Sequence, residues 1–178
     1  MLKIIYWLLG PTLLVWGASC FVVRDGHPDL TSVNLQRQWK GQPWTGLVVS
    51  FHDNFRPALL STYLQGQRHG VELSWYHNGH REREQHYRHG RYHGLAQTWY
   101  ENSRIKTWRS YHEGLAHGEQ WTWGPEGQVL EYNLYQMDQE ITHKTWTFDG
   151  KPFHNYVYQN GEKVGIMGEP FCKRKKQL

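Results

Sequence analysis

Histidine is the residue type of this chain best suited to chemistry, because neutral imidazole is the commonest metal ligand in proteins. The sequence holds 12 histidines, and His69, His93 and His117 recur at intervals of 24 residues. If each interval forms two strands of a sheet, neighbouring members lie about 9.6 Å apart. Two nitrogen ligands of one zinc ion lie no more than about 4 Å apart. The three histidines therefore cannot bind one ion together.

A local group of histidines, His86, His89 and His93, flanks one connection between predicted strands, where the side chains could converge. No Cys, Asp or Glu accompanies this group at a spacing typical of a ligand set. We therefore predict no metal site. The sequence also contains no Gly-x-Ser-x-Gly, His-Glu-x-x-His or Cys-x-x-Cys motif and no phosphate-binding loop.

Acidic and basic residues alternate at Arg81, Glu82, Arg83 and Glu84. In a strand, this alternation places the acids on one face and the bases on the other. It favours a solvated sheet face with cross-strand ion pairs over a pair of carboxylates for acid–base catalysis. We therefore predict no catalytic residue and no cofactor, and we expect that the protein is not an enzyme.

The elements that must position these side chains are repeats. One pattern recurs three times at a step of 24 residues, and a constant step of this kind is typical of a repeat architecture. Less regular copies extend the repeat region to residues 36–165. The recurring positions are Tyr63, Tyr87 and Tyr111, then Gly66, Gly90 and Gly114, then Gly70, Gly94 and Gly118, and finally Trp75, Trp99 and Trp123.

Each repeat is predicted to be a β-hairpin. Val71, Leu73 and Trp75 alternate with polar residues, which is the period of a strand. Asn78-Gly79 predicts a type I′ hairpin turn, whose two central residues both need positive φ. With 18 glycines and 7 prolines, the mature region has no convincing helix. The predicted fold is all-β: an elongated antiparallel meander of hairpins in one twisted sheet, after an N-terminal apolar helix.

The aromatic residues are predicted to divide between the two faces of this sheet. Trp75, Trp99 and Trp123 are expected to form the packed spine. A second set is expected on the opposite face, either exposed as a protein-binding surface or covered by a neighbouring segment. The candidate binding residues of that face are Tyr76, Tyr100, Trp108 and Tyr132, with Arg81 and Arg83 between them.

The N-terminal segment, residues 1–23, is predicted to be a signal peptide or a membrane anchor. Ile4 to Val23 carries no charged residue. Three alternatives remain open: a lipoprotein signal cleaved before a lipidated Cys20, an uncleaved anchor of about 30 Å, and an ordinary cleavable signal. All three place the repeats outside the cytoplasm, on the periplasmic side of the cell envelope.

The remaining segments are a predicted linker at residues 24–35 and a basic tail at residues 166–178 that contains Cys172. The formal net charge of the chain is +4. This mildly basic charge does not demand a nucleic-acid partner, and export argues against one.

The repeat resembles the MORN repeat family, in the bacterial variant form of YwqK-like antitoxin proteins. Residues 87–94 and 99–102 are similar to the family pattern of an aromatic, spaced glycines, a second aromatic and Glu-Asn-Gly. Residues 41–46 are similar to the start of such arrays. The resemblance implies an antiparallel sheet of hairpins and an antitoxin-like role in which the protein neutralises a toxin by binding it. Ser103 and Gly124-Pro125 depart from the pattern, so their hairpins are expected to be less regular.

These observations predict a non-enzymatic, membrane-tethered repeat protein that acts as a protein-interaction module in the bacterial cell envelope. The expected partners are an unidentified envelope protein and the membrane, through the N-terminal segment. The alternatives are the antitoxin role and the binding of anionic lipid or cell-wall glycan along the aromatic face. A long sheet with open edges is also expected to be able to form an edge-to-edge homodimer.

Overall fold

A computed structural model describes residues 12–14 and 21–166 of the chain, and every regular element among them is a strand. The strands are β1 (Thr12–Leu14), β2 (Phe21–Arg24), β3 (Leu30–Val33), β4 (Gln36–Trp39), β5 (Gln42–Pro43), β6 (Gly46–Phe51), β7 (Pro57–Leu64), β8 (Gln67–Trp75), β9 (Arg81–Arg88), β10 (Arg91–Trp99), β11 (Ile105–His112), β12 (Leu115–Trp123), β13 (Val129–Gln136), β14 (Gln139–Trp146), β15 (Pro152–Gln159) and β16 (Glu162–Ile166).

Thirteen of these strands form one sheet in the order β1-β2-β6-β7 and onward to β16, and β3, β4 and β5 form a second, smaller sheet. From β6 to β16, each strand pairs in antiparallel fashion with the next strand of the chain. Only the β2–β6 pair is parallel among the described strands. The predicted all-β meander of repeated hairpins is confirmed.

The first glycine of each repeat forms a tight two-residue turn. Gln65-Gly66, His89-Gly90 and Glu113-Gly114 have positive φ at both residues, with values of 49–50° and 77–92°. This is the geometry of a type I′ turn, which matches the twist of the flanking strands. The segment after each repeat tyrosine is therefore a second hairpin turn.

The second glycine of each repeat lies inside a strand. Gly70, Gly94 and Gly118 have φ values of 90–91°, and the ladder to the preceding strand is interrupted beside each of them. A positive φ within a ladder is typical of a β-bulge and is unfavourable for residues that carry a Cβ atom. The bulge explains why glycine recurs at this position.

The turn at the other end of each hairpin differs from the prediction. At Asn78-Gly79 only Gly79 has positive φ, and Tyr76 and His80 are joined by the hydrogen bond from Tyr76 N to His80 O, 2.9 Å. Gly79 N also donates to Tyr76 O at 2.8 Å. The loop therefore has three residues and is a type I turn followed by a left-handed residue. The expected type I′ turn at these two residues is wrong.

The two hairpins expected to be irregular keep this three-residue loop. Ser103 adopts the left-handed conformation with φ 65°, and its N–H donates to Tyr100 O at 2.9 Å. Gly127 N donates to Gly124 O at 2.9 Å in the same way. Pro125 follows Gly124 at the position of a type I turn where a fixed φ is favourable. The departures in sequence therefore leave the backbone unchanged.

One face of the large sheet is more buried than the other, and it is mainly polar. A row of directly opposed residues crosses β7 to β15, and six of the seven buried polar or charged residues lie on this face. We call this side the polar face. The row consists of Ser61, Glu72, Gln85, Ala96, Arg109, Gln120, Asn133, His143 and Tyr156.

The repeat tryptophans lie on the opposite side, which we call the aromatic face. Trp75, Trp99 and Trp123 are only half-buried, whereas Glu72 and Ser74 on the polar face are 5% and 3% exposed. The predicted alternation along β8 is confirmed, but the prediction that the tryptophans form the buried spine is wrong. The polar residues tolerate burial because they bond to one another, as Ser61 Oγ does to Glu72 at 2.7 Å.

The N-terminal end of the described region holds the only cluster of buried apolar residues among the described ones. Val23, Leu30, Trp44 and Val48 form it. Leu30 belongs to β3, so residues 24–35, expected to be a linker, contain a turn and a strand of the smaller sheet.

Most of the predicted N-terminal helix, including Cys20, lies outside the described residues, and so does Cys172. The described parts of the N-terminal segment, Thr12–Leu14 and Phe21–Arg24, are strands. No helix in the described part of the chain is long and apolar enough to cross a membrane.

Candidate functional site

The aromatic face carries a row of large rings on three neighbouring strands. Trp108 of β11 lies directly opposite Trp121 of β12, which lies directly opposite Tyr132 of β13. The rings of Trp121 and Tyr132 are 4.4 Å apart at their centroids, and Trp123 stacks beside Trp121 at 6.0 Å. We call Trp108, Trp121, Trp123 and Tyr132 the aromatic patch.

Charged groups of both signs surround the aromatic patch. Glu119 accepts hydrogen bonds from Trp121 Nε1 at 3.3 Å and from the Tyr132 hydroxyl at 3.4 Å. The ammonium group of Lys144 lies 5.8 Å from the centroid of the Tyr132 ring, within the range of a cation–π contact. Burial and the Glu119 carboxylate raise the pKa of Tyr132. An apolar centre with charged neighbours is typical of a surface that binds another molecule.

Trp108 is the most exposed tryptophan of the patch, with 36% of its surface accessible. In a strand of a single sheet, a side chain of this size is covered only by its neighbours on the same face. Large exposed aromatic groups that are contiguous with one another commonly mark binding surfaces.

Two predicted binding residues instead connect successive repeats. The Tyr76 hydroxyl donates to Trp99 O at 2.7 Å, and the Tyr100 hydroxyl donates to Trp123 O at 2.9 Å. His52 makes the equivalent contact one repeat earlier, from Nε2 to Trp75 O at 2.8 Å. Burial raises the pKa of the Tyr76 hydroxyl. Both tyrosines therefore serve the stacking of hairpins.

The two predicted arginines lie on different faces, because β9 contains a bulge. Trp75 pairs with Arg81 but Ser74 pairs with Arg83, so Glu82 is an extra residue. Arg81 reaches the aromatic face, where it bonds to Glu84 at 2.5 Å and lies 5.6 Å from the Trp99 ring.

Arg83 lies on the polar face, with Nε 3.4 Å from Ser74 Oγ. The expected cross-strand ion pairs of this segment are replaced by the Arg81–Glu84 pair within one strand. Of the six predicted binding residues, only Trp108 and Tyr132 belong to the aromatic patch. Trp121, which joins them, was missed as a binding residue. The tight turn alone would pair Trp108 with Glu119, and the bulge at Gly118 shifts the pairing to Trp121.

The repeat tyrosines line up on the polar face. Tyr87 stacks on Tyr92 at 4.9 Å, and Tyr92 stacks on Tyr111 at 5.0 Å. The guanidinium of Arg68 lies 5.3 Å from the Tyr87 ring. Burial raises the pKa of the Tyr87 hydroxyl, and its hydrogen bond with Tyr92 adds to the shift. This column holds hairpins together and leaves little ring surface for a partner.

The histidines pair between successive turns. His69 and His89 have ring centroids 5.1 Å apart, and His93 and His112 have centroids 5.2 Å apart. His86 instead contacts Leu95 O through Nδ1 at 3.0 Å, so the group His86, His89 and His93 does not converge. The described residues contain no group of three or more His, Cys, Asp or Glu side chains that could hold a metal ion.

Replacing Tyr100 with phenylalanine is expected to lower the free energy of unfolding by about 1 kcal/mol. The substitution removes one hydrogen bond to Trp123 O and leaves the ring in place. Urea denaturation followed by circular dichroism measures the loss. Tyr111→Phe is the matched control, because the Tyr111 ring stacks on Tyr92 and no hydrogen bond of its hydroxyl is seen among the described residues. Equal losses in the two variants would show that the hydroxyl of Tyr100 does not connect the repeats.

No protein-family model matches this chain, and no curated protein matches it either.

Proposed function

We propose that this chain is a non-enzymatic repeat protein of the MORN type that binds a protein partner through the aromatic patch. The observation that carries the proposal is the continuous row Trp108, Trp121 and Tyr132 on three adjacent strands. Repeated hairpins present their side chains on an extended surface, on which a partner is bound at several strands at once.

A protein partner suits the chemistry of the patch. Trp and Tyr are enriched among the residues that contribute most to protein–protein affinity. The rings of Trp121 and Tyr132 are inclined by 51° to each other, so they do not form the flat platform on which sugar rings stack. Glu119 and Lys144 add charges of opposite sign at the border, which favours a partner with complementary charges over a uniformly anionic lipid surface.

The proposed location is the bacterial cell envelope, with the repeats on the periplasmic side. The support is the uncharged stretch Ile4 to Val23 and the small residues before Cys20, which suit a lipoprotein signal or an anchor. The partner would then be an envelope protein. An edge-to-edge homodimer stays a further prediction, since β16 has a strand neighbour on one side only among the described strands.

Affinity capture tests this function. Tagged full-length protein is recovered from detergent-solubilised envelope, and co-purifying proteins are identified by mass spectrometry. We expect one envelope protein in stoichiometric amount, lost from Trp108→Ala and from Trp121→Ala. With the purified partner, either variant is expected to raise Kd by about 30-fold, the effect of losing a contact worth about 2 kcal/mol.

The matched control is Phe148→Ala, because Phe148 is an aromatic residue that is 74% exposed and lies outside the patch. Circular dichroism establishes that each variant is folded. Capture of the partner by both tryptophan variants would refute the proposed surface. Recovery of a toxin, or binding only to anionic vesicles or cell-wall glycan, would instead support the corresponding alternative function.

A further inference from the structure

A cavity of about 700 Å³ lies between the two sheets, away from the aromatic patch. The β3–β4 hairpin forms one side of it, and the β7–β8 and β9–β10 hairpins form the other. A volume of this size is within the range of small-molecule sites, which occur preferentially where two structural units meet.

Three arginines from three different hairpins line this cavity: Arg37, Arg68 and Arg91. His89 contributes a further nitrogen group. The neutral polar residues of the lining include Ser32, Asn34, Gln36, Tyr63 and Gln67. No aspartate or glutamate is among the lining residues. The lining side chains are therefore basic or neutral, and they are rich in hydrogen-bond donors.

Two of the arginines are held in place by carboxylates outside the cavity. Arg37 bonds to Asp25 at 2.6 Å and to Ser32 Oγ at 3.0 Å. Arg68 bonds through Nε to Glu72 at 3.1 Å. A guanidinium has five N–H donors, so each of these groups retains donors beyond its internal bonds. Arginines that are already oriented lose little side-chain entropy when a ligand binds.

The third arginine lies opposite another arginine. Arg91 lies directly opposite Arg88 across the His89-Gly90 turn, and like charges in this position repel. Neither side chain has a hydrogen-bond or ion-pair partner within the part of the chain that the structure describes. A second cleft, lined by Arg88, Arg91 and Glu113 among others, continues from the first. An anion between the hairpins would remove this repulsion.

We propose that this cavity binds a phosphate group, carried by a small molecule or by a lipid headgroup. Planar carboxylates pair best with one guanidinium fork, whereas the tetrahedral phosphate accepts hydrogen bonds from several directions. Arg37, Arg68 and Arg91 line the cavity from three different hairpins, which suits the phosphate. The remaining volume, next to Tyr63 and Gln36, would accept the organic part of the ligand.

Isothermal titration calorimetry of full-length protein in neutral detergent micelles tests the proposal, with pyrophosphate as the probe. We expect saturable binding with Kd below about 1 mM at low salt. Arg91→Gln and Gln36→Glu are each expected to raise Kd at least about tenfold, equivalent to about 1.4 kcal/mol. The first removes a donor and the second adds a negative charge. Arg91 is exposed, so its replacement leaves the fold intact.

The matched control is Arg104→Gln, which makes the same change in charge at the opposite turns of the hairpins. It is expected to change Kd by less than about twofold. Competition by glycerol 3-phosphate identifies a soluble phosphate ester as the source, and competition only by micelles doped with phosphatidic acid identifies a headgroup. The absence of saturable binding at about 10 mM pyrophosphate, or equal Kd values in wild type and both cavity variants, would overturn the proposal.

Discussion

Gly66→Ala is expected to lower the free energy of unfolding by about 2–5 kcal/mol. Gly66 has φ 80°, a left-handed conformation that costs about 1–2 kcal/mol for a residue with a Cβ atom. A Cβ atom there would also lie 2.9 Å from the backbone oxygen of Arg37. Relieving this contact must move the smaller sheet, because Gly66 N donates to Trp44 O at 2.7 Å and Arg37 N donates to Gly66 O at 2.8 Å.

Gly90→Ala is the matched control for this substitution. Gly90 occupies the same place in the next type I′ turn with φ 77°, but the nearest atom to an added Cβ is the Cβ of Gln67 at 4.0 Å. The free energy of unfolding of Gly90→Ala should therefore fall by only about 1–2 kcal/mol, the cost of backbone strain. Urea denaturation measures both values, and hydrogen exchange at the backbone amide of residue 66 reports whether the two sheets separate. Equal losses would refute the close approach of the sheets at Gly66.

Arg68→Met is expected to lower the free energy of unfolding by about 1–3 kcal/mol. Glu72 lies in the buried polar row with 5% of its surface exposed, and Arg68 supplies its only cation within bonding distance among the described residues. Removing that cation leaves a buried carboxylate with one hydrogen bond, from Ser61. The effect is smaller than for a fully buried pair, because the Arg68 side chain is 47% exposed and therefore partly screened.

Arg81→Met provides the comparison, since the Arg81 side chain is also 47% exposed and also bonds to a glutamate. The carboxylate side chain of Glu84 is 23% exposed, against 6% for Glu72, so water can solvate it when its partner is lost. The expected loss is therefore below about 1 kcal/mol. The double variant Arg68→Met/Glu72→Gln should regain part of the stability lost in Arg68→Met. A double variant no more stable than Arg68→Met would show that the carboxylate charge is not the cause.

The repeat period was sufficient to predict the order and direction of most strands. Spaced glycines such as Gly90 and Gly94 mark positions where positive φ is needed, and that requirement depends on local sequence alone. The fold as a series of β-hairpins was therefore predictable. The loop type at Asn78-Gly79 was not, because the same dipeptide fits the last two residues of a three-residue loop and the centre of a two-residue turn.

The identity of the buried face was not predictable from alternation. Alternation shows which side chains share a face, such as Leu73 with Trp75, but it does not show which face is enclosed. Hydrophobicity favoured the tryptophans, whereas hydrogen bonds among Ser61, Glu72 and Arg68 allow the polar face to be buried instead. Of the aromatic patch, the sequence predicted only Trp108 and Tyr132 as binding residues, for a related reason. The bulge at Glu82 and the role of Tyr100 between repeats depend on cross-strand register.

The order of strands from β6 to β16 also determines how the molecule responds to a pulling force. Neighbours along the sheet are neighbours along the chain, so a force applied to the two ends of this region acts across the sheet, in the direction of the inter-strand hydrogen bonds. Such a load breaks the backbone hydrogen bonds of one strand pair after another, instead of breaking many bonds at the same moment in shear. The repeats would then act as a soft, extensible spring, and each detached strand would lengthen the chain by a similar increment.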